Sequence, residues 1–403
     1  MPQQSRNQKI KRFFSWGIAE IYPSKEALEK ALKSGKKLKV YYGVDPSGAE
    51  IHLGHAVCLR KLKELQDLGW EIVMLIGDFT GRIGDPTGRS KTRIPLTHRQ
   101  VLENAKTYKD QVSKILNFAG NNPTKIKFNS EWLDKLSFKE VIELSAHFTV
   151  QQMLERDMYQ ERIKKGLPIF LHEFLYPLMQ GYDSVVLRAD AELGGSDQTF
   201  NMLCGRTLMK ELKNKERFVI TCSLLTGNDG RKMSKSFHNT IPVTDNPFTM
   251  FGKTMAAKDE IMISYFELCT DIPQEEIKKI EKDLKNNKVN PRDVKARLAR
   301  EIVTIYHGSK KAEKSEEEFN RVFRDKKKPT KAKEVKLSKS KWNITDLLVK
   351  LHLAQSKGKA KRLIREGAVK INNKKVSGLN KEVNLKNGDV VRCGKINFVK
   401  VSL

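Results

Sequence analysis

Two strand–loop–helix–strand patterns, far apart in the chain, constrain this sequence more than anything else in it. Leu38–Val44 (LKVYYGV) is an apolar-rich extended run that closes on Gly43-Val44-Asp45-Pro46. A helical stretch follows, with Leu59, Leu62, Leu65 and Leu68 on one side and Gly69 as its stop. Glu71–Ile76 (EIVMLI) is another short run of strand formers. Strand, helix and strand in about forty residues make one βαβ unit, and its two strands lie parallel. A second unit is expected further on. Its strand is read at Ser184–Asp190 (SVVLRAD), Gly194-Gly195-Ser196-Asp197-Gln198 opens its helix, and Arg217–Thr221 (RFVIT) closes it. Two such halves predict an α/β domain over residues 1–245, a doubly wound parallel sheet with a mostly helical insertion at about 96–179.

The pattern then changes. Residues 246–323 read as amphipathic helices without strands, as in DEIMISYFELC, and predict a separate all-α domain. Residues 324–341, beginning RDKKKPTKAKEVK, read as a basic exposed linker. Residues 342–403 read as a small α+β module. Thr345 is expected to cap one helix and Ser356 a second, which Gly367 ends. Short strands are expected around Val369–Ile371, Val390–Arg392 and Ile396–Val401, with Asn387-Gly388 as a turn between the first pair.

Charge gives the first functional hint. The 403 residues carry 76 Lys plus Arg against 48 Asp plus Glu, a formal net charge of +28. Residues 331–403 alone hold 19 basic against 5 acidic side chains, half of the surplus. Clustering of that kind points to a nucleic-acid-binding end rather than to an even compositional bias. No window approaches the roughly 18 apolar residues of a spanning helix, so no membrane role is expected. The five cysteines form no CxxC pair, which suggests a reducing cytoplasm and no structural metal. The basic N-terminus lacks the apolar core of a secretory signal.

Two short motifs carry chemistry. His52-Leu53-Gly54-His55 follows the first strand and opens its helix, where free N–H groups and the dipole suit phosphate. Lys232-Met233-Ser234-Lys235-Ser236 follows the last strand in a glycine-bearing loop, where two lysines can neutralise charge on a departing pyrophosphate. Either motif alone is weak. Together, in one parallel-sheet domain, HxGH and KMSKS resemble the class I aminoacyl-tRNA synthetases, whose catalytic domain is Rossmann-like.

Further stretches point to the tyrosyl members. Tyr41-Tyr42-Gly43-Val44-Asp45-Pro46-Ser47 resembles their YxGxDPT, Tyr176 to Asp183 their YxxxQxxD helix, and Gly194 to Gln198 their GGSDQ. LLVKLHLAQSKGKAKRLIREGAVKIN resembles the S4 RNA-binding fold. The resemblance, to the bacterial type, spans nearly the whole chain. It implies that His52, His55, Ser47, Lys232, Lys235, Arg89 and Arg93 stabilise charge on ATP. Gly43, Asp45, Gly54, Gly195 and Asp197, again with Lys235, would hold the nucleotide. Tyr41, Asp85, Tyr176, Gln180, Asp183 and Gln198 would bind tyrosine, with Asp183 as main reader of the hydroxyl. Tyr176, Gln180 and Asp183 share one helical face by spacing. Three positions depart from the commonest pattern: Ser47 stands for Thr, Arg89 for Lys, and Tyr41 belongs to a different branch from its neighbours.

The expectation is a cytoplasmic tyrosine–tRNA ligase using ATP with Mg2+ as counter-ion, without a protein-bound metal. Tyrosine, ATP and tRNA(Tyr) are the implied partners and a homodimer the implied assembly. Lys357, Lys359, Lys361, Arg362 and Arg365 are the candidate tRNA contacts. Two rivals stay open: a tryptophanyl enzyme, and a structured-RNA-binding protein built on an old synthetase body.

Overall fold

The computed structural model describes residues 5–85, 96–231, 233, 239–325, 333–379, 381–394 and 397–403. They divide into two compact units. One holds residues up to 227 with 231–244 and 263–278; the other holds 228–230, 245–262 and 279–403. Among the described residues no helix is long and apolar enough to cross a membrane.

The first unit is built on one six-stranded sheet. Its strands are β1 (Ile18–Tyr22), β2 (Lys39–Val44), β3 (Glu71–Ile76), β4 (Lys125–Phe128), β5 (Ala191–Gly195) and β6 (Phe218–Cys222), in the order β1-β6-β5-β2-β3-β4. All pairings are parallel except that of β1 with β6. The expected first βαβ unit is present: β2, helix α1 (Leu53–Asp67) and β3, paired from Lys39↔Glu71 to Val44↔Ile76. Gly69, at φ +94°, lets the chain turn out of α1.

The second βαβ unit corrects the sequence reading. Ser184–Asp190 is no strand. Helix α2 (Leu171–Leu187) runs through Ser184-Val185-Val186-Leu187 and ends where Arg188 turns left-handed, φ 48°. Val185 packs with Leu208 and Met209 of helix α3 (Thr199–Lys213), and Leu187 packs under Tyr41, Val73 and Leu75. Two apolar cores on two faces hold this β-branched stretch helical. The strand is AELGG, poor in strand formers, extended because β2 and β6 pair with it on both edges. The insertion also carries β4, which pairs with β3. Its sequence, KIKF, alternates exposed lysines with half-buried apolar residues, the marks of a short edge strand. The parallel sheet is therefore extended by an antiparallel edge strand, β1, that the sequence reading lacked.

Buried cations fasten α1, the helix that opens with His52-Leu53-Gly54-His55. The Lys61 amine is fully buried; it donates to the Phe13 carbonyl at 2.7 Å and to Glu64 at 2.8 Å, and lies 3.8 Å above the Trp16 ring. Burial pushes that amine down to about 8. Arg60 donates to the carbonyls of Leu268 and Thr270. An amine or guanidinium taken from water needs such partners, and here they tie α1 to both the N-terminal helix and the 263–278 segment.

In the second unit, helices Pro247–Met255, Pro291–His307 and Ser309–Phe323 occupy the stretch read as all-helical. The terminal module begins earlier than 342. Within the basic stretch 324–341, Lys333–Lys336 forms an edge strand parallel to Asn397–Ser402, and Leu337 is buried. Residues 326–332 lie outside the described residues. The helix Ile344–Lys350 is capped by Asn343, whose side chain accepts from the Thr345 N–H at 3.0 Å, so Thr345 is not the cap. Ser356 caps Lys357–Arg365 as expected, and Gly367 follows at φ +67°. Val369–Ile371 and Val390–Cys393 pair antiparallel, but two further short strands come between them, so Asn387-Gly388 does not form their hairpin. The helical stretch and the terminal module, read as separate bodies, fall in one unit, with Arg392 lying 5.0 Å from the Phe323 ring and 5.4 Å from the Phe398 ring.

Candidate active site

The strand order turns back between β2 and β5, and in such sheets ligands sit beyond the carboxyl ends of the strands at that point. Asp45 and Ser47 follow β2 there, and Ser196, Asp197 and Gln198 follow β5.

His52 is the N-cap of α1, and its N–H donates to His55 Nδ1 at 3.3 Å. The two rings stack with centroids 3.8 Å apart. A Cβ on Gly54 would come within 3.1 Å of the His52 ring and 3.3 Å of Met233 Sδ. A side chain at Gly54 would crowd both neighbours, and Met233, the second residue of the KMSKS motif, is seated against HLGH. Lys232 and Lys235, like Arg89 and Arg93, lie outside the described residues. Ser47 is exposed, its N–H bonded to the Asp45 carbonyl at 2.7 Å. Gly43 is exposed within β2, with open space where a side chain would stand.

On the other side α2 presents Tyr176, Gln180 and Asp183. The Tyr176 hydroxyl donates to Asp45 at 2.9 Å, and Asp45 also accepts from the Thr80 hydroxyl at 2.7 Å. Asp45, assigned to the nucleotide by resemblance, is thus bonded to the wall of the tyrosine side. A Cβ on Gly77 would fall 2.1 Å from Asp45 Oδ1, so only glycine admits this approach. Asp183 is 3% exposed and accepts from Trp132 Nε1 at 2.8 Å and Asn129 Nδ2 at 3.3 Å. Burial pushes its carboxyl well above the usual carboxylate range, against the pull of those two donors. Tyr41 is fully buried; its hydroxyl bonds Ser184 Oγ at 2.8 Å, and burial raises the phenol far above its ordinary value.

A continuous run of hydrogen bonds joins the remaining residues. Gln198 donates to Asp85 at 2.8 Å. Asn201 Nδ2 donates to Gln198 Oε1 at 3.1 Å and to Gln180 Oε1 at 3.0 Å. Gln180 donates to Glu192 at 2.9 Å, and Arg217 pairs with Glu192 at 2.5 Å. Asp197 stands beside Gly195, where a Cβ would meet its carboxylate at 2.8 Å. Sequence reasoning missed Gly77, Thr80, Asn129, Trp132, Glu192, Asn201 and Arg217. Asn201 sits three residues beyond the GGSDQ motif and was within reach of it; Asn129 and Trp132 carry no spacing signal.

The five cations proposed for RNA lie on or beside one capped helix, whose Ala360 and Ile364 face the core. Lys357 pairs with Asp346 at 2.7 Å and Arg362 with Glu366 at 2.7 Å, so two of the five are engaged within the module.

Comparison with known proteins shows the family. Residues 33–324 match the family described as tRNA synthetases class I (W and Y). Residues 318–399 match the tyrosine–tRNA ligase SYY-like C-terminal domain. The tyrosine–tRNA ligase of Moorella thermoacetica is 46% identical over 394 residues, covering 97% of this chain and 95% of that one. Tyrosine–tRNA ligase 2 of Clostridium acetobutylicum is 48% identical, covering 96% of each. Among solved structures, a C-terminally truncated mitochondrial tyrosyl-tRNA synthetase of Coccidioides posadasii superposes with a TM-score of 0.61 at 26% identity, covering 78% of this chain and 92% of that one. With a family match over most of its length and relatives near half identity from end to end, this chain belongs to the tyrosine–tRNA ligases of class I.

Proposed function

We propose that the chain activates L-tyrosine with MgATP to tyrosyl-adenylate and passes the tyrosyl group to the 3′ end of tRNA(Tyr). The observation that carries the reading is Asp183. It is a buried carboxyl on the helical face shared with Tyr176 and Gln180, beside the apolar cluster of Tyr41, Val73, Leu75 and Trp132. Two N–H donors occupy part of its acceptor capacity, and a phenol hydroxyl suits the rest. A phenylalanine ring would leave that buried acceptor short of a partner. Tyr41, tied to Ser184, serves as the wall behind it.

The chemistry needs no covalent enzyme intermediate: the tyrosine carboxylate attacks the α-phosphorus and pyrophosphate leaves. His52, His55 and Ser47, with Lys232, Lys235, Arg89 and Arg93, stabilise the charge that gathers on the phosphates, and Gly43 leaves room for the nucleotide. Gly195 and Asp197 border the ribose. Mg2+ enters with ATP as part of the substrate. The catalytic sheet is read as Rossmann-like, the terminal module as an S4-type RNA-binding fold, and the site of action as the cytoplasm.

A homodimer fits the insertion. Phe138 is 80% exposed and Leu171 79%, with Ile142, Val150 and Phe170 also exposed, more large apolar surface than a lone folded unit usually leaves in water. Sedimentation velocity on the intact protein should return a dimer, and Leu171→Asp should shift it toward monomer; a monomeric parent would rule the assembly out.

Asp183→Asn should remove tyrosine-dependent ATP–pyrophosphate exchange while leaving the fold intact. The pH dependence of stability is a second readout. The native carboxyl holds its proton at higher pH than the unfolded one, so native Asp183 costs stability as pH rises through that window. The parent's melting temperature should therefore gain on the variant's as pH falls from neutral toward 4. Normal exchange in the variant would show that another group reads the hydroxyl.

Ending the chain near Lys331 should spare adenylate formation, since every proposed active-site residue lies upstream, and should sharply weaken tRNA charging. The full chain should lose tRNA affinity steeply with salt, and the shortened chain along a shallower slope. Equal charging rates for both proteins at moderate salt would mean that the basic module is merely solvated.

A further inference from the structure

We propose that Glu192, held by Arg217, and Asn201 are positioning residues that fix two glutamine amides with their carbonyl oxygens turned to the substrate ammonium. The inference rests on the tyrosine reading above and concerns residues behind the pocket wall.

An ionised carboxylate only accepts hydrogen bonds, and an amide has one donating and one accepting end. Glu192 is buried, and one of its carboxylate oxygens accepts from the Arg217 guanidinium at 2.5 Å. It therefore dictates that Gln180 turn its NH2 toward Glu192, at 2.9 Å. Asp85 imposes the same choice on Gln198, at 2.8 Å. The Oε1 atoms of both glutamines then point toward one residue, Asn201, whose Nδ2 donates to them at 3.0 and 3.1 Å. Asn201 is fully buried, and its own Oδ1 finds no hydrogen-bond partner. A buried amide with both donors used and its acceptor unmet is there for its donors.

Each link excludes the flipped arrangement. A reversed Gln180 would set an oxygen against Glu192 and an NH2 against the NH2 of Asn201. The orientation assigned to an amide is thus decided by its partners, and here every partner agrees. Arg217, Glu192 and Asn201 are buried, while Gln180, Gln198 and Asp85 are partly open. Each glutamine oxygen has a second lone pair beyond its bond to Asn201, and a carboxylate such as that of Asp85 carries acceptors only. The Tyr176 oxygen joins them, because its proton is committed to Asp45. An ammonium group is the complement of such a set: three donors and no acceptor. A ligand with nothing at that carbon gains nothing from the set.

The test compares L-tyrosine with 3-(4-hydroxyphenyl)propionate, which keeps the phenol and the carboxylate but lacks the ammonium. Both are titrated calorimetrically into the intact protein and its variants. Asn201→Ala and Glu192→Gln should each weaken tyrosine binding by about tenfold, while binding of the propionate changes less than about twofold. Should Glu192→Gln fail to fold because Arg217 loses its counter-charge, Asn201→Ala leaves that pair intact and decides the matter alone. Equal losses for both ligands would mean that the network only supports the fold, and the proposal would be wrong. A parent protein that binds neither ligand would instead overturn the tyrosine reading, and this proposal with it.

Discussion

A carboxylate taken out of water is tolerable only where the protein brings donors to it. Among the carboxylates the catalytic unit buries are Asp183, on α2, and Glu192, on β5. Their donors come from distant parts of the chain. Asn129 and Trp132 reach Asp183 from the segment that follows β4, and Arg217 reaches Glu192 from the start of β6. Satisfying the two carboxylates ties the segment after β4 to α2, and α2 and the start of β6 to β5. Breaking either set would leave a buried charge alone, which costs several kcal/mol in typical proteins.

The two halves of the site divide the electrostatic work. Beyond β2 and α1 stand the stacked histidines and an open glycine, with Met233 pressed against Gly54. Beyond α2 and β5 stand Tyr176, Gln180, Asp197 and Gln198, all rich in hydrogen-bond acceptors. A substrate carrying an ammonium and a phenol at one end, and meeting a polyphosphate at the other, matches both sign and order. Asp45 ties the halves together, since it follows β2 on the side proposed for the nucleotide and accepts from Tyr176 and Thr80 on the other.

Much of this was legible in the sequence, and what was not has physical reasons. The β2–α1–β3 unit could be read because its periodicity and its glycine stop are local signals. Ser184–Asp190 misled because a short β-branched run looks alike in a buried helix and a buried strand; only packing on two cores makes it helical. AELGG became a strand through its neighbours, a cause no window of sequence contains. The polar face of Tyr176, Gln180 and Asp183 was legible once the YxxxQxxD resemblance singled those residues out, since their spacing puts them on one side of a helix. The residues that hold those side chains in place, Asn129, Trp132, Glu192 and Arg217, were invisible because their roles arise from contacts across the fold. Asn201 and Gly77 lay close to recognised motifs, yet their importance comes from distances of a few ångströms that spacing does not encode.

The central claim is that this pocket selects tyrosine by pairing its hydroxyl inside a buried acceptor site. Amino-acid-dependent ATP–pyrophosphate exchange by the intact protein tests it most directly, with tyrosine, phenylalanine and tryptophan supplied in turn. The account requires fast exchange with tyrosine and, with the other two, rates lower by orders of magnitude at equal concentration. Comparable exchange with phenylalanine would mean that no buried group depends on the hydroxyl, and the reading of Asp183 would fall.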